Sequence, residues 1–190
     1  MEKLIAHIQD LSPVSAEEIS RIEKAFQEKK LAKKEFILKA GDVSQHMRFI
    51  DSGALRTYYL DEDGKEFVQS FGIEGWWLND LYSYLSQSPA TQFIQATEPS
   101  VIFQIHRDRL EELFKEVPAM ERFFRIKMQS AYQAAQHRNL QVKIESAVER
   151  YANFRQSYPQ LEQRFPQYMI ASYLGLTPEH LSYIRRKALK

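Results

Sequence analysis

The apolar positions change period twice along the chain. Leu4, Ile5, Ile8 and Leu11 form one helical stripe, and Ser15-Ala16-Glu17-Glu18 is a capping-box sequence followed by Ile19, Ile22 and Phe26. The spacing predicts helix over residues 2–30 as core packing. From Glu35 to about His106 the pattern shortens into runs rich in aromatic and β-branched residues: Phe36–Leu38, Met47–Ile50, Leu55–Leu60, Phe67–Phe71, Gln92–Ala96 and Val101–Ile105. Turn signals separate them at Ala40-Gly41-Asp42, Asp51-Ser52-Gly53, Asp61-Glu62-Asp63-Gly64 and Glu98-Pro99. Short strands at this spacing predict an antiparallel barrel or jelly roll, interrupted by a short helix at Asn79–Ser86 and followed by another at Asp108–Lys115.

After Pro118 the helical period returns. A long helix is expected to about Asn139, with Met120, Phe124, Met128, Ala131 and Ala135 on one stripe. That stripe is either a two-helix homodimer seam or packing against the chain's own roll; the order of elements favours the seam. Lys143 to about Tyr158 reads as further helix with Ile144, Val148, Tyr151 and Phe154 inward. Three parts are thus expected: residues 1–117 a roll with flanking helices, 118–139 a connecting helix, and 140–190 an all-α C-terminal domain. The fold class is α+β.

The last stretch, Pro166–Lys187, reads as two short helices around a tight turn. The first runs from about Gln167 to Leu174. Gly175 supplies a left-handed terminator, Thr177 an N-cap, and Pro178 the first position of a second helix reaching about Leu189. Leu181 and Ile184 turn one stripe inward. Glu179, Ser182, Tyr183 and Arg186 share the opposite face, bordered by His180 and Lys187 on one side and Arg185 on the other. This is the layout of a helix-turn-helix, whose second helix enters the DNA major groove; an ordinary αα-hairpin with a solvated face is the plainer alternative.

Charge shifts the balance between them. The net charge of +1 conceals 14 Lys and Arg against 21 Asp and Glu in residues 1–121, and 12 against 4 in residues 122–190. A basic C-terminal third on an acidic body points to a polyanion, here double-stranded DNA. With no cysteine there is no disulfide, thiolate nucleophile or iron–sulfur ligand. No apolar run is long enough to span a membrane and the N-terminus lacks a signal-peptide core, so a cytoplasmic location is expected. His7, His46, His106, His137 and His180 look isolated along the chain, which argues against a metal site, and nothing calls for a cofactor. No Gly-x-Ser-x-Gly or Ser/His/Asp set suggests an enzyme.

A roll, a long helix and a C-terminal helix-turn-helix, in that order, resemble the CRP/FNR family of bacterial transcription regulators over nearly the whole chain. The resemblance is carried by Ala40-Gly41-Asp42, by Asp51-Ser52-Gly53 with Leu55-Arg56, and by the run Ile170-Ala171-Ser172-Tyr173-Leu174-Gly175-Leu176-Thr177-Pro178-Glu179. It implies a homodimeric transcription factor with Glu179 and Tyr183 at base-contacting positions. Two departures stand out. Cyclic-nucleotide-binding members hold the ribose with Gly-Glu and the phosphate with Arg-Ser or Arg-Thr; here those places look like Asn79-Asp80 and Ser88-Pro89-Ala90-Thr91. The 41 residues from Glu66 through His106 contain no Arg or Lys at all, and a buried phosphate needs a charge-assisted partner. The β-wing after the recognition helix is also expected to be reduced or absent. Trp76, Trp77, Asn79, Asp80, Tyr82, Ala90 and Thr91 then outline an effector pocket, for a neutral or apolar molecule rather than a cyclic nucleotide. The competing functional reading is a small-molecule sensor with a vestigial helix-turn-helix.

Overall fold

The structure is a computed structural model and describes residues 1–188, so Leu189, the expected last residue of the C-terminal helix, lies outside the described residues. Two compact units form: residues 1–57 with 71–131, and residues 58–70 with 132–190.

The first unit begins with α1 (Glu2–Gln9) and α2 (Ala16–Ala25). The capping box closes as its sequence requires. Ser15 Oγ accepts from the Glu18 N–H at 3.3 Å, and the Glu18 carboxylate accepts from the Ser15 N–H at 2.7 Å. Seven strands follow: β1 (Gln27–Leu31), β2 (Phe36–Leu38), β3 (His46–Ser52), β4 (Ala54–Leu60), β5 (Glu66–Ile73), β6 (Phe93–Ala96) and β7 (Ser100–His106). They form a three-stranded sheet ordered β1-β7-β3 and a four-stranded sheet ordered β2-β6-β4-β5. Helix α3 (Leu81–Ser86) interrupts them and α4 (Arg107–Glu116) follows.

Strand alternation sorts the core into two layers. Met47 and Phe49 of β3, with Phe103 and Ile105 of β7, pack against Leu4, Ile8, Ile22, Leu113 and Phe123 of the helices. Their neighbours Ile50 and Ile102 turn the other way, onto Leu38, Leu55, Leu78 and Ile94 inside the roll. The expected helix through residue 30 is corrected here: Gln27–Leu31 is a strand, paired antiparallel with β7 from Gln27↔Gln104 to Leu31↔Ser100. Its polar sequence, QEKKL, has no strand signature of its own; the open edge of β7 decides its conformation.

The long helix α5 (Pro118–Ile144) continues five residues past the expected end. It stops where Ser146 and Glu149 form a second capping box and start α6 (Ala147–Ser157). That break corrects a second expectation. Ile144 and Val148, expected inward, are 69% and 58% exposed, while Tyr151 and Phe154 are buried. A short α7 (Pro159–Arg164), not anticipated, leads into α8 (Gln167–Tyr173) and α9 (Pro178–Ala188). The core of this second unit is Tyr151, Phe154, Leu161, Phe165, Ile170, Ala171, Leu181 and Ile184. Among the described residues no helix is long and apolar enough to cross a membrane.

The register of β3 on β7 places His46 opposite His106. The two rings stand edge to face with centroids 5.2 Å apart, so these two histidines are not isolated as their spacing suggested. Among the described residues, no group of three His, Cys, Asp or Glu side chains could hold a metal. Burial, then Arg48, then His106 lower the His46 pKa from 6.5 to about 4. The folded state therefore keeps this ring neutral while the unfolded chain takes up a proton. Its contribution is fully present above pH 6.5 and is lost as pH falls toward about 4. In urea unfolding followed from pH 7 to pH 4, His46→Gln is expected to lose less stability than the wild type over that window.

Gly53, in the tight β3–β4 turn, has φ +91°, and a Cβ there would lie 2.6 Å from the Ser100 Cα and 2.2 Å from its Oγ. Both backbone strain and a backbone clash oppose any side chain. Gly53→Ala is expected to lower unfolding free energy by about 2 kcal/mol or more, measured by chemical denaturation.

Candidate nucleic-acid interface

Helices α8 and α9 are held at a defined crossing by the turn between them. Gly175 has φ +68°. Its N–H donates to Ser172 O at 3.1 Å, and the Leu176 N–H donates to Ala171 O at 2.8 Å. This is the paired 5→2 and 6→1 arrangement that ends a helix with a left-handed glycine. Thr177 caps α9, its Oγ1 accepting from the His180 N–H at 3.2 Å. Ala171 is fully buried, and Leu181 and Ile184 are 1% and 2% exposed, so one stripe of α9 is locked inward.

The opposite stripe is free. Glu179, His180, Ser182, Tyr183, Arg186 and Lys187 are all exposed. The Lys187 ammonium lies 4.8 Å from the centroid of the Tyr183 ring, one turn back. Hydrogen bonds from its own backbone amide, then from Thr177, hold the Glu179 carboxyl below its usual range, so it is ionised. Arg185 differs from its neighbours: its Nε is 3.8 Å from Glu162 Oε1. Glu162 of α7 also takes the Arg155 Nε at 2.9 Å and accepts from the Tyr151 hydroxyl. Arg185 is therefore partly committed to fastening α9 to α6 and α7. Glu162 was missed in the sequence because its partners lie on two other helices, α6 and α9, at no fixed spacing.

The residues expected to outline an effector pocket are placed differently from one another. Trp77 packs in the helix-facing core, with ring centroids 5.5 Å from Phe49 and 5.1 Å from Phe124. Tyr82 is 70% exposed. Asp80 is buried and caps α3 by accepting from the Ser83 N–H at 3.1 Å, while Asn79 Oδ1 accepts from the Arg48 N–H at 2.8 Å. The Ala90 backbone pairs with Gly41 and Asp42. Trp76 is half-buried and Thr91 exposed. Trp77 and Tyr82 thus stand on different surfaces of the first unit, one in its core and one at solvent.

Cations do reach the roll, from strands outside the 41-residue gap. Arg48 of β3 and Arg56 of β4 are 3% and 5% exposed. Arg56 donates from Nε and Nη2 to Gln95 Oε1 at 3.2 and 2.9 Å. Arg48 Nη1 donates to Ser44 Oγ at 3.3 Å and His46 O at 3.1 Å, its Nε meets no acceptor, and burial lowers its pKa to about 10. It stays protonated at neutral pH. The expectation of a strictly neutral or apolar effector rested on an absence of cations that holds for the segment and not for the roll.

The expected dimer stripe divides in two. Met120 and Phe124 are 0% and 5% exposed and belong, with partly buried Met128, to the chain's own core. They cannot also face a second copy, which corrects that part of the stripe. Ala131 and Ala135 remain exposed, and from Arg125 to Ile144 no side chain is buried. Tyr132, Leu140 and Ile144 are 66%, 53% and 69% exposed.

The pattern described as the cyclic nucleotide-binding domain matches residues 28–117. The chain is 27% identical over 183 residues to the anaerobic regulatory protein of Haemophilus influenzae, covering 89% of this chain and 70% of that one. It is 28% identical over 182 residues to the fumarate and nitrate reduction regulatory protein of Yersinia pestis, covering 87% and 70%. Among solved structures, the c-di-GMP-responsive global regulator CLP of Xanthomonas campestris superposes with TM-score 0.74 at 12% identity over 92% of each chain. The catabolite activator protein of Thermus thermophilus gives TM-score 0.61 at 16% identity over 95% of this chain and 85% of that one. At such identities the structural likeness concerns the fold.

Proposed function

From the premise that this chain belongs to the CRP/FNR family of regulators, we propose that it works in the cytoplasm as a homodimer reading a pseudo-palindromic DNA site through α9. The observation that carries this reading is the exposed face of α9: Glu179, Ser182, Tyr183, Arg186 and Lys187 lie side by side while Leu181 and Ile184 anchor the helix from behind. A carboxylate at the start of a DNA-facing helix repels phosphates and is tolerated where it accepts from a cytosine amino group. Ser182 and Tyr183 reach neighbouring base edges or sugars, and Arg186 a guanine or a phosphate. Lys187 grips a phosphate; Arg185, with Glu162 beside it, does so more weakly than its charge suggests. Thr177 and His180 flank the helix start. The relatives are regulatory proteins by name, which supports a non-enzymatic role.

Cyclic AMP is not the proposed effector. Asn79-Asp80 and Ser88–Thr91 carry no cation, and the roll's arginines already have internal acceptors: Gln95 for Arg56, Ser44 and the His46 carbonyl for Arg48. A homodimer is supported by the bare second half of α5, where large apolar side chains would otherwise stay in water. A two-fold dimer must set its two α9 helices about 34 Å apart to meet successive major grooves.

Two measurements test this. In binding to selected and scrambled duplexes at several salt concentrations, Glu179→Ala should relax preference at one base pair per half-site, by about 1–3 kcal/mol. Lys187→Ala should weaken both duplexes alike and flatten the salt slope by about one unit per subunit. Equal wild-type affinity for both duplexes at every salt would remove the sequence-reading role and leave the sensor reading.

Sedimentation tests the seam. A charge buried without a partner between two helices costs several kcal/mol. Leu140→Glu and Ala131→Glu are expected to sediment as monomers at low micromolar concentration with the fold intact. Met128→Glu, which strikes the chain's own core, is expected to lower the melting temperature instead. Two persistent dimers among the first pair would place the seam elsewhere.

A further inference from the structure

Strand β4 starts in the first unit and β5 ends there, but the hairpin between them, residues 58–70, belongs to the second. β5 is the edge strand of its sheet, and an edge strand presents unpaired N–H and C=O groups. On this edge a single hydroxyl takes the place of a neighbouring strand. Ser172 Oγ, on α8, accepts from the Val68 N–H at 2.9 Å and donates to Glu66 O at 3.2 Å. Next to it, Arg138 Nη1 donates to Gln69 O at 3.0 Å, and its guanidinium lies 5.4 Å from the ring centroid of Tyr173 on α8. The fastening is specific to one edge and one helix, and Ser172 lies 104 residues from Val68 in sequence.

The clasp has an electrostatic consequence. Residues 65–68 line one side of a cleft of about 440 Å³, and Gly175, Leu176, Thr177 and Pro178, the turn and the first residues of α9, line the other. Two and three residues before Lys65 are Asp63 and Glu62. Both side chains are exposed and neither has an ion-pair partner among the described residues. Asp61 is spent on the turn itself, accepting from the Asp63 and Lys65 N–H groups at 3.1 and 2.8 Å. The hairpin carries four carboxylates against one lysine, whereas residues 122–190 carry 12 cations against 4 anions. A strand edge that carries an acidic tip is thus fastened to α8 across a cleft from the start of α9, the helix that must approach DNA phosphates.

We propose that the β4–β5 hairpin is an intramolecular brake on DNA binding: while Ser172 clasps its edge, residues 65–68 are held opposite the start of α9, and the tip carboxylates Glu62 and Asp63, next along the chain, oppose the phosphate backbone of a bound duplex. The proposal rests on α9 being the DNA-reading helix. Repulsion between exposed charges fades beyond a Debye length of about 8 Å at physiological salt, so the brake acts only while the clasp holds the loop close. Because both strands of the hairpin are continuous with the roll, a shift of β4 or β5 there would pull on this clasp directly.

The test uses the full chain and a fluorescent duplex carrying the selected site. Ser172→Ala removes the clasp, and the pair Glu62→Gln with Asp63→Asn removes the charge while leaving the clasp. Each is expected to bind about three- to ten-fold more tightly than wild type at low salt. The gain from the charge pair should shrink as salt rises, and combining all three changes should add little, since they act through one device. Ser172→Thr, which keeps the hydroxyl, should behave as wild type. Amide hydrogen exchange at Val68, read without DNA, should accelerate in Ser172→Ala and not in the charge pair. Unchanged or weaker DNA binding in both variants, with faster Val68 exchange in Ser172→Ala, would overturn the brake while leaving α9 as the reader. Unchanged Val68 exchange in Ser172→Ala would overturn the clasp. If neither wild type nor the charge pair binds any duplex, the DNA reading fails and the brake with it; binding by the charge pair alone would be its strongest support.

Discussion

The structure depends on the aromatic weld around Trp77. Its ring has Phe26, Phe49, Phe123 and Phe124 with centroids 6.2, 5.5, 5.9 and 5.1 Å away. These residues come from the end of α2, from β3 and from the first turns of α5, so one cluster ties the N-terminal helices, the three-stranded sheet and the long helix together. Such rings bury large areas and gain further from tilted and edge-to-face contacts. The Trp77 indole N–H is buried without an acceptor, a cost of about 1–3 kcal/mol that the packing outweighs. The same cluster anchors only one end of α5, and from Arg125 to Ile144 none of its side chains is buried.

That division of α5 resolves the two readings of its stripe. Apolar residues spaced four, four, three and four apart can serve a seam or a core, and here only the first three serve the chain's own core. Met120, Phe124 and Met128 go to the core, and Ala131 and Ala135 stay outside. The periodicity of a helix says which residues share a face; it is silent about which part of that face another element covers.

Charge follows the same logic. Counting Arg and Lys between Glu66 and His106 treats the roll as a segment, but an antiparallel roll brings β3 and β4 into its walls, and with them Arg48 and Arg56. The histidines behave likewise: 60 residues separate His46 from His106, and their pairing exists only through the register of β3 on β7. In the C-terminal unit Arg185, expected at the border of the polar stripe of α9, lies 3.8 Å from Glu162. The hairpin over residues 58–70 reads as an ordinary turn between strands, and only its attachment at Ser172 sets residues 65–68 across a cleft from the turn before α9.

What the sequence by itself determined is what local physics controls. Gly175 at positive φ, the Thr177 cap and the inward Leu181 and Ile184 specify a helix-turn-helix within about twenty residues. The capping box at Ser15 and the alternation of β3 and β7 specify elements in the same way, because caps and periods act between near neighbours. The tertiary structure alone decided the strand state of Gln27–Leu31, the exposure of Ile144 and Val148, the core position of Trp77 and the clasp of Ser172 on β5. Apart from the exposure of Ile144 and Val148, which follows the break at Ser146, each depends on a partner dozens of residues away, whose closeness is set by the packed core and not by spacing along the chain.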